Sequence, residues 1–214
     1  MVQKEIILSA ASEIVKELGI RNISIDYITK RLNISKKSIY LKYADKDDLL
    51  QDVIKNSIVS MSEVLNQVPV QAATTIDEFL LMSDKIIDWA FSWRRSSLQD
   101  LEACCPGGLR QVIEFSTNVV EPAFTKNILK GITERHYGHE WNKDLLIRQM
   151  GLVIENCLRI MSGSQQHLSF IQIKHHFIGS YLMGVCTDEA RVNTRKRLEL
   201  FFQKRGNSPN TENP

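Results

Sequence analysis

Apolar residues recur at intervals of three and four along almost the whole chain, and nowhere settle into the strict alternation of a half-buried strand. Ile7, Ala11, Ile14 and Leu18 form the first such stripe, and Gly19 closes it as a C-terminal cap. Ser24 opens a second helix carrying Ile25, Ile28 and Leu32. Asn33 ends it, at a place that suits a left-handed residue. Ser35 caps a third helix of about two turns, and Asp45 a fourth whose face of Leu50, Val53, Ile54, Ser57, Met61 and Val64 runs to about Asn66. Pro69 to Thr75 reads as a linker. Further helices are expected at 76–94, 96–104, 109–136, 141–162 and 168–186, with a last one from a Thr187 cap to Lys204. Pro106-Gly107-Gly108 is expected to break the run, and Pro122 to kink or interrupt it. The pattern predicts an all-α protein. With 214 residues, 43% of them hydrophobic, such a chain builds a sizeable core without disulfides or metals.

The net charge of +2 is too small to point to any partner, but its distribution is uneven. Between residues 20 and 46 stand Arg21, Lys30, Arg31, Lys36, Lys37, Lys42 and Lys46 against Asp26 and Asp45, seven minus two, or +5. Cys104, Cys105, Cys157 and Cys186 show no disulfide framework, and the helical pattern begins without a leader. No apolar run reaches the roughly 18 residues of a membrane helix. The expectation is a soluble, cytoplasmic protein with reduced thiols and no membrane partner.

Residues 24–43 are the most informative segment. Two short helices meet at the tight turn Leu32-Asn33-Ile34-Ser35, and the second is too short to be a strong core element. It is crowded instead with Lys36, Lys37, Ser38, Tyr40 and Lys42, while Ile39 and Tyr43 can turn inward. A helix-turn-helix of this kind lays its second helix in the DNA major groove, with the start of the first near the backbone.

The stretch from Ile6 to Leu50 resembles the N-terminal domain of the TetR family. The resemblance lies in Ile7, Leu8, Ala11 and Gly19, in Ser24-Ile25-Asp26-Tyr27-Ile28, in Leu32 through Tyr40, and in Tyr43-Ala44-Asp45-Lys46-Asp47-Asp48-Leu49-Leu50. Three positions depart from it: Asn33 stands where the family usually has Gly, Lys42 where it often has an aromatic or His, and Ala44 where it often has Lys or Pro. The resemblance implies a three-helix helix-turn-helix DNA-binding domain at 1–46 and a helical ligand-binding and dimerisation domain at 47–205; the polar, Asn- and Pro-containing stretch 206–214 is expected to be a flexible tail. It implies that Ser24, Tyr40 and Lys46 bind phosphate and that Lys36, Lys37 and Ser38 read bases. Lys42 would add a contact one turn on, and Ser35 completes the DNA-binding set. A helix start such as that at Lys46 also favours anions on physical grounds.

The implied activity is that of a ligand-responsive repressor binding a palindromic double-stranded DNA operator as a homodimer. The helices at 141–162 and 168–186 are expected to form the dimer interface, since Leu145, Leu146, Met150, Val153, Ile154, Cys157 and Leu158, then Phe170, Phe177, Ile178, Tyr181 and Val185, exceed one narrow stripe; Gly179 and Gly184 allow close approach. Trp89 and Trp93, sharing a face at i, i+4, are candidates for the wall of an effector pocket, with Phe115, Phe124 and Met150. Few ionisable residues are expected on the inner face of 76–136, which points to an apolar or aromatic effector. Core packing is the plainer use of these side chains.

Other constellations carry less. His136 and His139 lie in a Gly-containing turn without an acidic or Cys partner in the pattern, and read as surface histidines. His175 and His176 are adjacent, so on a helix they diverge by about 100°. Cys104 and Cys105 read as incidental thiols at a helix end. No nucleophile–base set, phosphate-cradling loop or paired carboxylates appears, so no enzyme activity, catalytic residue, metal or cofactor is expected. The alternative is an all-α small-molecule-binding protein or enzyme whose first helices serve only packing.

Overall fold

The computed structural model describes residues 4–93, 95–162 and 169–206, with the side chains of 154–162 and 205–206 excepted. Every named element among them is helical: α1 (Lys4–Leu18), α2 (Ile25–Leu32), α3 (Lys36–Tyr40), α4 (Lys46–Gln71), α5 (Thr75–Phe91), α6 (Leu98–Cys104), α7 (Pro106–Phe115), α8 (Glu121–Thr133), α9 (Lys143–Ser162), α10 (Phe170–Val185) and α11 (Asp188–Gly206). A π-helical turn, Ser116–Val120, lies between α7 and α8.

The chain divides into two compact units, Met1–Glu63 with Ser92–Val119, and Val64–Phe91 with Val120–Pro214. In the first, Ile7, Ala11, Ile14 and Val15 of α1 meet Ile28 of α2, Ile39 of α3 and Leu49, Leu50, Val53 and Ile54 of α4 in one core. Leu101 and Cys105 belong to that core too, with Trp93, Leu109 and Val112 packed on it. Thus α6 and α7 complete the core that the first four helices begin. Gly108, in the first turn of α7, faces Ile54 so closely that a Cβ there would strike its side chain.

In the second unit, Phe79 of α5 lies edge-on to Phe124 of α8 and stacks on Tyr181 of α10, with ring centroids 5.4 and 5.3 Å away. Several polar groups within this core are paired, although Ser83 Oγ is buried without a hydrogen-bond partner among the described residues. Asn127 Nδ2 donates to the Thr75 carbonyl at 2.9 Å, Tyr137 Oη donates to Asn127 Oδ1 at 3.2 Å, and Tyr181 Oη donates to the Leu146 carbonyl at 3.0 Å. Thr187 caps α11, its Oγ1 accepting from the Ala190 N–H at 3.2 Å.

Several boundaries differ from the sequence-based expectation. Pro69 lies inside α4, which continues to Gln71. A proline so close to a helix end forfeits one backbone hydrogen bond and interrupts nothing beyond it. The linker shrinks to 72–74, where Thr74 caps α5 by accepting from the Asp77 N–H at 3.2 Å. Pro106 begins a helix instead of breaking one, since it stands at the first helical position, where no donor is required. Ahead of Pro122 the helix widens into the π turn. α5 stops at Phe91, so Trp93 lies in a turn and shares no helix face with Trp89.

The interior of the second unit is also less apolar than expected. Glu78, Asp84 and Lys174 are buried in it. Lys174 pairs with Asp84 and, at 2.7 Å, with Asp88, and Lys130 reaches Glu78 at 3.3 Å. Both acidic partners of Lys174 sit on α5, so long-range pairing supplies the counter-charge that makes these burials tolerable.

Candidate nucleic-acid interface

The helix-turn-helix is held by caps at each of its ends. Gly19 adopts φ +84° and donates its N–H to Val15, ending α1. A side chain there would also meet the Arg95 carbonyl, so the close approach and the backbone angle both favour glycine. Ser24 Oγ accepts from the Tyr27 N–H at 3.1 Å, and Ser35 Oγ from the Ser38 N–H at 3.2 Å. Asn33 sits between the two helices at φ 53°, ψ 48°. Asp45 Oδ1 accepts from the Asp48 N–H at 2.8 Å at the start of α4. These caps, read from the sequence, are all present.

The inward side of α3 is Ile39, fully buried, and Tyr43 follows it into the core. Tyr43 donates its hydroxyl to Asp52 at 3.3 Å, and Lys4 pairs with the same carboxylate at 2.6 Å. Burial first, then the neighbouring Asp52 charge, push the phenol well above its ordinary range. Tyr43 is therefore a neutral structural anchor that sets the end of α3.

Lys36, Lys37, Tyr40 and Lys42 are exposed on and after α3, Ser24 and Ser35 are exposed at the caps, and Ser38 and Lys46 are half-buried. All eight residues of the DNA-binding set thus lie in the first unit, at three consecutive helix starts, on one short helix and, for Lys42, in the turn that follows it. The local +5 is divided by pairing. Arg21 is bound to Asp100, and Arg31 grips Glu17 through two hydrogen bonds of 2.8 and 2.9 Å. Lys36 lies 2.6 Å from Asp26. Lys30, Lys37, Lys42 and Lys46 have no ion pair among the described residues. Asp26 was legible only as an acid in the first turn of α2; its ten-residue offset from Lys36, across the turn, is the signal that would have found it.

The candidate effector residues are distributed. Trp93 and Phe115 belong to the first unit, whereas Trp89, Phe124 and Met150 belong to the second. Phe124 packs on Phe79, and Trp93 on the core of the first four helices. Cys105 is fully buried, and its thiol is pushed up to about 12 by that burial, with the Asp47 carboxylate adding to it. His175 packs edge-on to Phe202 and His176 to Phe177, so the two rings diverge. His136 Nδ1 lies 3.2 Å from Glu134, an acid the turn pattern did not reveal, and His139 is exposed. Cys157 lies outside the described side chains, as do Ile154 and Leu158, and 207–214 lie outside the described residues.

Residues 7–53 match the family model described as bacterial regulatory proteins, tetR family. The N-terminal domain belongs to the TetR family. No curated protein sequence matches the chain. Among solved structures, the chain is similar to a TetR-family transcriptional regulator from Marinobacter aquaeolei VT8, at 19% identity and a TM-score of 0.77, over 94% of this chain and 99% of that one. It is similar to FadR from Bacillus subtilis, solved in complex with stearoyl-CoA, at 15% identity and a TM-score of 0.66 over 86% and 100% of the two chains. The ketosteroid regulator KstR2 of Mycobacterium tuberculosis gives 14% identity and a TM-score of 0.63 over 88% and 98%. These likenesses extend the TetR-regulator fold to the helical body. With a TetR domain at its start, the chain is a DNA-binding transcriptional regulator. Among the described residues no helix is long and apolar enough to cross a membrane.

Proposed function

We propose that the chain is a ligand-responsive repressor that binds a palindromic operator as a homodimer through the N-terminal helix-turn-helix. The observation that carries this is the capped α2–turn–α3 element, with Lys37, Tyr40 and Lys42 exposed on one side and Ile39 buried on the other. Lys36, Lys37 and Ser38 contact bases at the start of α3, with Lys42 a turn beyond. Ser24, Ser35, Tyr40 and Lys46 contact phosphates, which position the domain without carrying sequence information. Ser24 spends its oxygen lone pair on the Tyr27 N–H and keeps its hydroxyl proton for a phosphate. Recovering bound duplexes from a random pool with the purified protein tests this reading. A two-fold symmetric sequence supports it, and no enrichment overturns it.

Dimerisation through α9 and α10 is supported by what those helices leave uncovered. Trp141, just ahead of α9, and Leu145 and Leu152 within it are exposed. On α10 the stripe Gln172, His176, Ser180 and Gly184 is exposed at helical spacing, beside a groove of about 660 Å³ lined by Phe177, Gly179 and Leu198. Two such faces related by a two-fold axis cover each other. Replacing Leu145 and Leu152 with Glu is expected to give a monomer in sedimentation; an unchanged dimer rejects this interface.

For the effector, an apolar or aromatic small molecule is supported by two neighbours of the fold, a fatty-acyl-CoA-bound FadR and a ketosteroid regulator. The buried Asp84 and Lys174 remove the argument from a wholly apolar interior. The effector acts by preferring one of two arrangements of the DNA-binding domains, lowering operator affinity by its differential binding. The proposed routes are α4 and the chain leaving α5, which continues directly into the Trp93 segment packed on the DNA-binding core.

A further inference from the structure

The helix-turn-helix places a carboxylate where a DNA-binding surface is expected to be purely cationic. Asp26, in the first turn of α2, and Lys36, the first residue of α3, meet at 2.6 Å across the turn. Both are well exposed, with 60% and 58% of their side chains open to solvent, so the pair is held by geometry and not by burial. Asp26 stands two residues after Ser24 and spends its negative charge beside the helix start that faces the DNA backbone. An exposed ion pair is weak enough to exchange its anion for another. If Lys36 leaves for a phosphate, however, Asp26 is left uncompensated beside that same phosphate.

We propose that Asp26 is a specificity-determining residue, withholding the Lys36 ammonium from the phosphates of arbitrary DNA and presenting it to a base edge instead. This rests on the DNA-binding reading above. A lysine held by a carboxylate can still share its remaining protons with guanine O6 or N7, because an ammonium has three donors. It cannot neutralise a phosphate without leaving its partner. Arg31 supports the same interpretation: Glu17 and Glu13 of α1 occupy it as fully, and so it contributes little free charge to the surface. Two of the seven basic residues of the stretch are thereby restrained by acids of the first two helices, while Lys37, Lys42 and Lys46 remain available.

The test compares wild type, Asp26→Asn, Asp26→Glu and Asp26→Asn/Lys36→Met on the duplex recovered from the random pool and on its scrambled counterpart, by fluorescence anisotropy across salt concentrations. Asp26→Asn is expected to tighten binding to the scrambled duplex and to steepen its log–log salt slope by about 0.9, the increment for one more neutralised phosphate. Between about 50 and about 200 mM salt the advantage over wild type then shrinks about 3.5-fold. The ratio of selected to scrambled affinity falls. Asp26→Glu keeps wild-type behaviour, and adding Lys36→Met removes the gain in slope. An unchanged slope in Asp26→Asn overturns the proposal, as does a gain that persists without Lys36. Wild-type protein that binds neither duplex overturns the DNA-binding reading itself, which is a distinct result.

Discussion

Lys174 offers the sharpest test of how the body is held together. It is 3% exposed and Asp84 is fully buried, while Asp88, its second partner, is partly open to water. The ammonium also sits 4.8 Å from the ring centre of Phe170, which itself stacks on Phe91 at 4.6 Å. Replacing Lys174 with Met preserves the stem and removes an ammonium that pairs with the fully buried Asp84 carboxylate. The expected cost is about 3–5 kcal/mol. For a chain of this size each kcal/mol moves the midpoint by roughly 2–4 °C, so Tm should fall by roughly 6–20 °C. Substituting both, Lys174→Met with Asp84→Leu, replaces the pair with apolar groups and is expected to cost less than the sum of the two single variants. The assay is circular dichroism at 222 nm through urea and thermal unfolding of wild type, Lys174→Met, Asp84→Leu and the double variant. A single Lys174→Met variant within about 1 kcal/mol of wild type refutes the reasoning. So does a double variant as unstable as the sum of the singles.

The DNA contacts separate by salt. Lys37→Ala should cost about 1–3 kcal/mol at particular base positions of the selected duplex. Lys46→Ala should weaken binding to every duplex and lower the salt slope by about one. Asn33→Ala, at a left-handed position, should lower stability by about 1 kcal/mol, whereas Asn33→Gly should be neutral; thermal unfolding checks both. Cys105, buried and with its thiol raised to about 12, should resist iodoacetamide at pH 8 while half-buried Cys104 reacts, as peptide mapping would show. The sign follows from the direction of that shift. Above the ordinary thiol range, about pH 8.5, the unfolded chain ionises while the folded one does not, so this residue's contribution to stability declines as pH rises towards 12.

What was legible in the chain was what a few neighbouring residues decide. Gly19, Ser24, Asn33, Ser35 and Asp45 each act within four residues, and each is found at the cap it suggested. Proline misled wherever position outweighed type. Pro69 is harmless two residues from a helix end, and Pro106 begins a helix. Residues whose role depends on distant partners were not legible. Lys174 finds Asp84 and Asp88 some ninety residues away, and Leu101 and Cys105 give no local sign that they serve the core of the first helices. The same holds at the interface, where the positive stretch was visible but not which cations α1 and α2 had already engaged.

The packing of α6 and α7 against the first four helices bears on how such a reader can be moved between proteins. Ile20 donates its N–H to Ser96 Oγ at 2.9 Å, Arg21 is bound to Asp100, and Leu101 and Cys105 close one wall around Ile54. A hybrid spliced after residue 63 would keep every side chain proposed to touch DNA and yet inherit that wall from a foreign body. Its reading head would then be only as well seated as the donor's counterpart of 92–119 allows. Transplants that carry 92–119 with the head should retain its operator preference, and modular exchange at the obvious seam should not.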